Sequence, residues 1–238
     1  MVVSYTSFKG SVHDTNQDYV KVDEERKILL VSDGIGSFRN SHMASKAAVE
    51  ISLLSLRMND FRSRDPHFVY NAFRTAVKMA NSQVYHMIEQ SRAESNDCID
   101  NLIGGCTLDI GVVVEDIFYF AHVGDGRIYK VEGDVLRVFT RKDCINEKEG
   151  ITVLDKWIGC SEAELKSMTI QVGRTPLNRG DQILMCTDGM YYNLPHEFIY
   201  NVLKKEAFHP FVKLRYLYNG AVFKGCTDDC SGILYTHE

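Results

Sequence analysis

Short runs in which apolar residues dominate or alternate with polar ones recur along most of the chain. Runs of four to eight such residues, bounded by turn-forming residues, are typical of β-strands. The runs lie at 2–8, 19–23, 28–33, 106–115, 117–124, 127–140, 168–172, 181–188 and 230–237. Within 127–140, Glu132-Gly133-Asp134 is a turn signal, so this run predicts a hairpin.

Two longer segments between these runs have the helical period instead. The first extends from Ser41 to about Met58 and the second from about Pro66 to Gln90, where a proline suits the first turn. The positions expected to be buried are Met43, Ala44, Ala47, Ala48, Ile51, Leu54, Phe68, Ala72, Ala76, Met79, Ala80, Val84 and Met87. Short helices are expected near 195–205 and 209–222, whereas 141–167 has no clear pattern.

The order of these elements predicts the fold class. Strands are grouped apart from helices, which favours an α+β fold with a largely antiparallel sheet system. The chain has four prolines and no Pro-, Gly- or Ser-rich tract between two halves. We therefore expect a single domain over residues 1–238.

Composition narrows the classes of function. Hydrophobic residues make up 45% of the 238 residues and charged residues 25%, as in ordinary globular proteins. The net charge of −5 argues against nucleic acid as a partner. Neither a membrane span nor a signal peptide is evident. The seven cysteines form no Cys-x-x-Cys pair, so we expect free thiols and a cytoplasmic protein.

Three strand-like runs end in Asp-Gly, at Asp33, Asp125 and Asp188. A hairpin explains Asp125, because strand-like runs lie on both sides of it. The other two aspartates lead towards helices, where a carboxylate at a strand end is suited to binding a hard cation. Asp18 and the Asp228-Asp229 pair also lie at strand ends. On the pattern alone, a Mg²⁺ or Mn²⁺ site and a set of solvated turns both remain open.

Five segments resemble, in order, motifs of the PP2C (PPM) family of metal-dependent Ser/Thr protein phosphatases, in its compact bacterial form. They are GSVHDTNQD, LLVSDGIGSFRNSHMAS, FAHVGDGRIYKV, PLNRGDQILMCTDGM and TDDCSGILY. The resemblance covers about residues 3–236. It implies a four-layer α/β/β/α sandwich of two antiparallel sheets flanked by helices.

The resemblance also implies the catalytic metal ligands. Asp33 matches the aspartate that bridges two catalytic ions, and the carbonyl group of Gly34 matches a ligand of one of them. Asp188 and Asp228 match the remaining protein ligands of the other ion. The implied cofactors are two Mg²⁺ or Mn²⁺ ions, and a water that bridges them would attack the phosphorus atom.

Two further aspartates match supporting positions of the family. Asp18 matches the aspartate that supports the second ion, directly or through water, and Asp125 matches the ligand of a third, weaker ion. The family glutamate before Asp18 is replaced by Gln17, and the serine after Asp125 is replaced by Gly126. Because the metal-matching aspartates are all present, the sequence favours an active enzyme.

The segment that grips the substrate phosphate departs from the family pattern. His13 stands where the family has an arginine, and we consider Arg39 as a cation that compensates. Both also have simpler interpretations, His13 as a tolerated surface residue and Arg39 as a solvated loop charge. Ser37-Phe38 stand where bacterial relatives carry glycine-rich sequence, and we expect the bulky Phe38 to shape substrate access.

The sequence therefore predicts a protein serine/threonine phosphatase. Its expected partners are phosphorylated proteins and a Ser/Thr kinase that it opposes, without nucleic acid or membrane, and we expect a monomer. The alternative is a non-catalytic phosphoprotein-binding pseudophosphatase on the same scaffold. Hydrolysis of small phosphoesters is a third reading.

Overall fold

The computed structural model describes residues 2–35, 38–61, 65–94, 102–148 and 151–238. Twelve strands lie within these ranges: β1 (Val2–Phe8), β2 (Asp18–Asp23), β3 (Ile28–Asp33), β4 (Leu108–Val114), β5 (Ile117–Val123), β6 (Arg127–Glu132), β7 (Val135–Val138), β8 (Cys144–Lys148), β9 (Ile151–Leu154), β10 (Gln171–Pro176), β11 (Gln182–Cys186) and β12 (Cys230–Thr236). The helices are α1 (Ser41–Arg57), α2 (Pro66–Glu94), α3 (Glu162–Ser167), α4 (Asp188–Tyr191), α5 (His196–Leu203) and α6 (Pro210–Phe223).

Ten of these strands form two five-stranded sheets. The first sheet has the order β1-β12-β11-β6-β7 and the second has the order β10-β5-β4-β3-β2. Every pairing in them is antiparallel. The predicted α+β class and the antiparallel sheets are therefore confirmed, as is the hairpin at Gly133 that joins β6 to β7.

Alternation along the strands builds three apolar layers. In β3, Leu29 and Val31 face the other sheet, whereas Ile28 and Leu30 face the helices α1 and α2. In β11, Ile183 and Met185 likewise face the inter-sheet layer, and the alternate residues face α4, α5 and α6. One layer between the sheets and one outside each sheet give the predicted four-layer sandwich.

The buried faces of the two long helices agree only in part with the prediction, which is confirmed at Ala44, Ala48, Ala72, Ala76, Ala80 and Val84. Met43 and Leu54 of α1 are 43% and 57% exposed, and Phe68 and Met79 of α2 are 37% and 44% exposed. Besides Ala44 and Ala48, the buried face of α1 carries Ser41, Ser45, Val49, Ser52, Leu53, Ser55 and Leu56. Small residues let the helix approach the sheet closely, and the Ser45 hydroxyl donates to the carbonyl of Gln17 at 2.6 Å.

The interpretation of Asp125-Gly126 as a hairpin is wrong. Strand β5 belongs to the second sheet and β6 to the first, so the chain crosses from one sheet to the other at this point. The segment at 168–172 was expected to be a strand, but β10 begins only at Gln171, because Met168 ends α3. The unpatterned stretch 141–167 contains the β8–β9 hairpin and α3, whose first turn is closed by a Ser161–Glu164 capping box.

None of the described helices is long and apolar enough to cross a membrane.

A buried amide links α2 to the loop before α3. Asn81 is 2% exposed; its Nδ2 atom donates to the carbonyl of Cys160 at 2.9 Å. Its Oδ1 atom accepts from the backbone N–H groups of Gly159 at 2.7 Å and Cys160 at 3.1 Å. One side chain therefore satisfies three polar backbone groups that water does not reach.

We expect Asn81→Ala to lower the free energy of unfolding by about 2–4 kcal/mol, because those three groups lose their partners. Urea denaturation at equilibrium measures the change. Asn71→Ala is the matched control, since Asn71 is exposed on the same helix and its contact with Arg74 is 3.4 Å long. Equal destabilisation by the two variants would contradict this account.

Candidate metal centre

The second sheet contributes two aspartates that face each other across neighbouring strands. Asp18 is the first residue of β2, Asp33 is the last residue of β3, and the two are paired in register. The backbone of Asp33 is fixed by Thr107, whose N–H donates to its carbonyl at 2.8 Å. Thr107 also accepts from the Asp33 N–H through its hydroxyl oxygen at 2.9 Å. Both carboxylates therefore project from the same end of the second sheet, where the backbone is held rigidly.

The first sheet contributes two more at the ends of its central strands. Asp188 begins α4 directly after β11, and Asp228 lies in the turn before β12. Because β11 and β12 are neighbours, the two residues lie at the same end of the sheet. Gly189 allows this approach, since a Cβ atom there would overlap the carbonyl oxygen of Asp229.

These aspartates meet at one end of a cavity of about 980 Å³. Asp33, Asp125, Asp188 and Asp228 line it, so residues of both sheets and of the crossover between them contribute. Asp18 lies behind this lining, is 6% exposed and accepts from the Thr187 hydroxyl at 2.8 Å. The structure thus brings the predicted aspartates together.

Burial and mutual repulsion act on these carboxyl groups. Burial, followed by repulsion from Asp18 and Asp188, raises the pKa of Asp33 well above its usual range. Burial, followed by repulsion from Asp125 and Asp228, does the same to the pKa of Asp188. Burial also raises the pKa of Asp125, and it raises that of Asp18 to about 7. Without a cation, the cluster therefore favours bound protons.

The donor set fits Mg²⁺ or Mn²⁺. The Oδ1 atoms of Asp18 and Asp188 are buried and have no hydrogen-bond partner in the described part of the chain. Buried carboxylate oxygens without partners are costly unless a cation binds them. The donors are all oxygen atoms, which hard divalent ions prefer. The carbonyl of Gly34, the residue after Asp33, remains a predicted ligand.

Asp229, which received no role from the sequence, is a structural residue of the site. Its side chain is 1% exposed. It accepts from the backbone N–H groups of Gly10 and Gln17, both at 2.7 Å, and contacts His13 Nδ1 at 3.1 Å. It therefore holds the segment 10–17 against the turn that carries Asp228. The only signal in the sequence was the doubled aspartate before the last strand.

The two candidate phosphate-binding residues lie in different places. His13 lines the acidic end of the cavity, with Nδ1 3.6 Å from Asp228 and 3.1 Å from Asp229. Arg39 is 62% exposed and its guanidinium lies 3.3 Å from Asp14. Arg39 is not among the described residues that line the cavity. The structure thus brings His13, but not Arg39, to the aspartates.

The residue after Asp125 is explained by a buried ion pair. His122 and Asp109 are both buried, and their Nδ1 and Oδ1 atoms are 2.5 Å apart. A Cβ atom on Gly126 would overlap Asp109 Oδ2, so the serine found in the family does not fit here. Arg127 donates to the carbonyl of Thr140 at 2.9 Å and therefore has a structural role.

Comparison with known proteins extends this picture. The sequence model of the family described as protein phosphatase 2C matches residues 11–221. A putative protein phosphatase of Mycoplasma pneumoniae is 23% identical over 216 residues, which cover 83% of this chain and 81% of that protein. The serine/threonine phosphatase stp of Listeria innocua is 24% identical over 225 residues, covering 87% and 84%. The crystal structure of serine/threonine phosphatase Stp1 from Staphylococcus aureus has the same fold, with a TM-score of 0.83, 20% identity and coverage of 100% and 96%.

The raised pKa values predict how the stability of the metal-free protein depends on pH. The folded-state pKa of Asp18 is about 7, above the usual value of about 4 for an unfolded chain. Between these values the folded state binds more protons than the unfolded state, so this contribution to the free energy of unfolding falls as pH rises. The pKa values of Asp33 and Asp188 shift in the same direction.

We expect the thermal midpoint of unfolding in EDTA to decrease as the pH is raised from about 5 to about 7. Saturating Mg²⁺ or Mn²⁺ should remove most of that decrease. Thermal unfolding at several pH values, with EDTA or metal, measures it. Asp188→Asn removes one repelling charge, so its midpoint in EDTA should depend less on pH. Identical pH profiles with and without metal would exclude a metal centre built from these groups.

Proposed function

Because the chain belongs to the protein phosphatase 2C family, we propose that it is a metal-dependent protein serine/threonine phosphatase. Its substrates would be phosphoserine and phosphothreonine in proteins phosphorylated by a Ser/Thr kinase. One observation carries the proposal: aspartates from both sheets converge on one cavity, and Asp188 in its lining and Asp18 behind it each have a buried carboxylate oxygen without a partner among the described residues.

The aspartates divide between binding ions and supporting them. In this proposal Asp33, Asp188, Asp228 and the carbonyl of Gly34 hold two Mg²⁺ or Mn²⁺ ions, and Asp18 supports one of them from behind. Asp125 would hold a third, weaker ion. Two such ions, when bound, would activate water for attack on phosphorus and neutralise the charge of the phosphoryl group.

The acidic end of the cavity explains why the activity must depend on metal. A phosphate monoester is a dianion, and four aspartates line the space that it would enter. Without cations these carboxylates repel it, so phosphate would bind there only together with metal ions. The aspartates serve as ligands and Asp229 keeps the neighbouring segments in place.

His13 is proposed to contact the substrate phosphate. Its Nδ1 atom is held next to Asp229, and its Nε2 atom makes no hydrogen bond within the described residues. Nε2 donates to a phosphate oxygen only when the ring carries both protons, whereas an arginine always offers a charged fork. We therefore expect weaker phosphate affinity than an arginine would give. Arg39 lies beside Asp14, outside the cavity lining, and we assign it no contact.

A non-catalytic phosphoprotein-binding module is the second candidate. One observation favours it: the position of the phosphate-gripping arginine is occupied by His13. Such a module would bind phosphopeptides without releasing phosphate.

The deciding experiment is phosphate release from a phosphothreonine peptide with Mn²⁺, with Mg²⁺ and with EDTA. We expect release with metal only, and a loss of at least about 100-fold in Asp33→Asn and Asp188→Asn, because each removes a charged ligand. Asp134→Asn is the matched control, since Asp134 is 94% exposed on the β6–β7 turn. His13→Arg should lower KM and leave kcat nearly unchanged.

The outcomes separate the two candidates. Metal-dependent release that both site variants abolish would support the phosphatase. No release with either metal, combined with metal-dependent phosphopeptide binding in calorimetry, would favour the binding module instead. Release in EDTA would contradict the proposed role of the aspartates.

A further inference from the structure

The cavity continues beyond the aspartates into an apolar half. Ile35, Phe38, Tyr85, Ile88, Ile103 and Trp157 line this half, which we call the apolar wall. Its residues come from four regions: the segment after β3, the last turns of α2, the loop at 102–105 and the loop after β9. A phosphoryl group and its ions occupy only the acidic end, so the remaining space can take another part of the substrate.

Three glycines build the apolar wall. A Cβ atom on Gly104 would lie 2.6 Å from the Phe38 ring, and one on Gly105 would lie 2.5 Å from the Trp157 ring. A Cβ atom on Gly159 would lie 2.7 Å from Ile88 Cδ1. Each apolar side chain therefore rests directly on bare backbone.

Backbone hydrogen bonds hold the apolar wall in place. The N–H group of Cys106 donates to the carbonyl of Ile158 at 3.0 Å, and the N–H group of Ile158 donates back at 2.7 Å. The side chain of Asn81 holds the next two residues, as described above. The tryptophan therefore lies on a fixed segment next to the metal centre.

The aromatic rings of Phe38 and Trp157 are available to a ligand. Phe38 and Trp157 are half-buried, and neither belongs to the three apolar core clusters of the described residues. Half-exposed aromatic side chains on a cavity wall are typical contacts for an apolar group. At the rim, Arg92 is engaged by Glu89 at 2.6 Å, and Glu164 adds negative charge.

We propose that the apolar wall binds a bulky apolar side chain next to the phosphorylated residue of the substrate, which makes Trp157 a specificity-determining residue. This inference rests on the proposed function. The occupant is the substrate peptide itself, because the wall and the aspartates share one cavity. An apolar surface with Glu164 at its rim disfavours substrates with acidic residues at the same position.

The test uses phosphothreonine peptides that differ only by leucine, serine or glutamate at each position from three before to three after the phosphothreonine. We expect one position at which leucine raises kcat/KM about tenfold over serine, mainly through KM, and glutamate lowers it. Trp157→Ala should remove this preference, so that the leucine and serine peptides are hydrolysed with similar kcat/KM. Tyr216→Ala, which changes an exposed aromatic residue of α6, is the matched control.

A binding measurement keeps the test independent of turnover. Trp157 is the only tryptophan of the chain, so its fluorescence reports directly on the wall. In Asp33→Asn, the leucine peptide at high concentration should shift the emission, and the serine peptide should not. Phe38→Ala, which leaves the fluorophore in place, should weaken that shift.

The possible failures are distinguishable. Equal rates on leucine and serine peptides at every position, with no shift of the emission, would overturn the proposed binding role of the apolar wall. The proposed phosphatase activity would be unaffected by that result. No hydrolysis of any peptide would count against the proposed function. The fluorescence titration would still show whether the apolar wall binds the leucine peptide.

A second, independent observation concerns two thiols on either side of Asp228. The Sγ atoms of Cys226 and Cys230 are 3.7 Å apart. Cys226 lines the cavity, and Cys230 is buried as the first residue of β12. The pair therefore spans the turn that carries a predicted metal ligand.

Both thiols also interact with the backbone of the site. Cys226 donates to the carbonyl of Gly189 at 3.2 Å, and Cys230 lies 3.6 Å from the carbonyl of Asp228. A disulfide requires sulfur atoms about 2.05 Å apart, so closure would draw the two ends of the turn together. It would also remove both S–H donors.

We infer that Cys226 and Cys230 form a reversible disulfide that inactivates the site when a hydroperoxide is present. The sulfur of Cys226 attacks the O–O bond of hydrogen peroxide, so that a sulfenic acid forms and water leaves. The thiol of Cys230 then attacks this sulfur, the S–S bond forms and a second water leaves. Two thiols are oxidised, one peroxide is reduced, and the turn with Asp228 is displaced.

Peroxide treatment followed by peptide mapping without reductant tests the inference. We expect a peptide that contains both Cys226 and Cys230 and is lighter by two hydrogen atoms than its reduced form. Activity should fall about tenfold or more, and dithiothreitol should restore it. Cys230→Ser, compared with its own untreated rate, should not lose activity in this reversible way. Cys144→Ser is the matched control and should respond like the wild type.

Two results would overturn the inference that this disulfide inactivates the site. One is a map in which Cys226 and Cys230 remain thiols while activity falls. The other is a joined peptide without any loss of activity. If the protein releases no phosphate at all, the map still decides whether the bond forms.

Discussion

Mutual repulsion among buried carboxylates is the constraint around which this structure is arranged. Asp33 and Asp188 lie close together, and burial removes the water that would screen their charges. Such a cluster persists only if protons or cations compensate it. The sheet edges, the glycine that follows Asp188 and the buried Asp229 together hold the carboxylates in this unfavourable arrangement. The fold thus holds together a set of oxygen ligands whose charge needs compensation.

Much of the fold could be predicted because its strands alternate and its turns carry clear signals. The strands, the two long helices and the aspartates at the strand ends all follow from local pattern, and their order made the family resemblance specific. The buried face of α1 could not be predicted in the same way, since serines replace large apolar residues there. Small residues are buried for close approach, which a search for hydrophobic residues overlooks.

Other features depend on contacts that are distant in sequence. The crossover at Asp125 has the local pattern of a hairpin, and only the pairing of β11 with β6 assigns the next strand to the other sheet. Gly126 is explained by Asp109, which lies in a different strand. Likewise, Asp229 contacts residues more than 200 positions away, so its role becomes visible only in three dimensions. Neither the short helix α4 nor the β8–β9 hairpin had a distinct pattern.

The apolar layer between the sheets has a consequence for the metal centre. Asp33 projects from one sheet and Asp188 follows the other, so the gap between them is set by the side chains packed in between, among them Val31 and Met185. Packed interiors transmit changes of volume instead of absorbing them. Side chains in the interior of the sandwich therefore fix the separation of Asp33 and Asp188, and substitutions there can change that separation from positions that do not line the cavity.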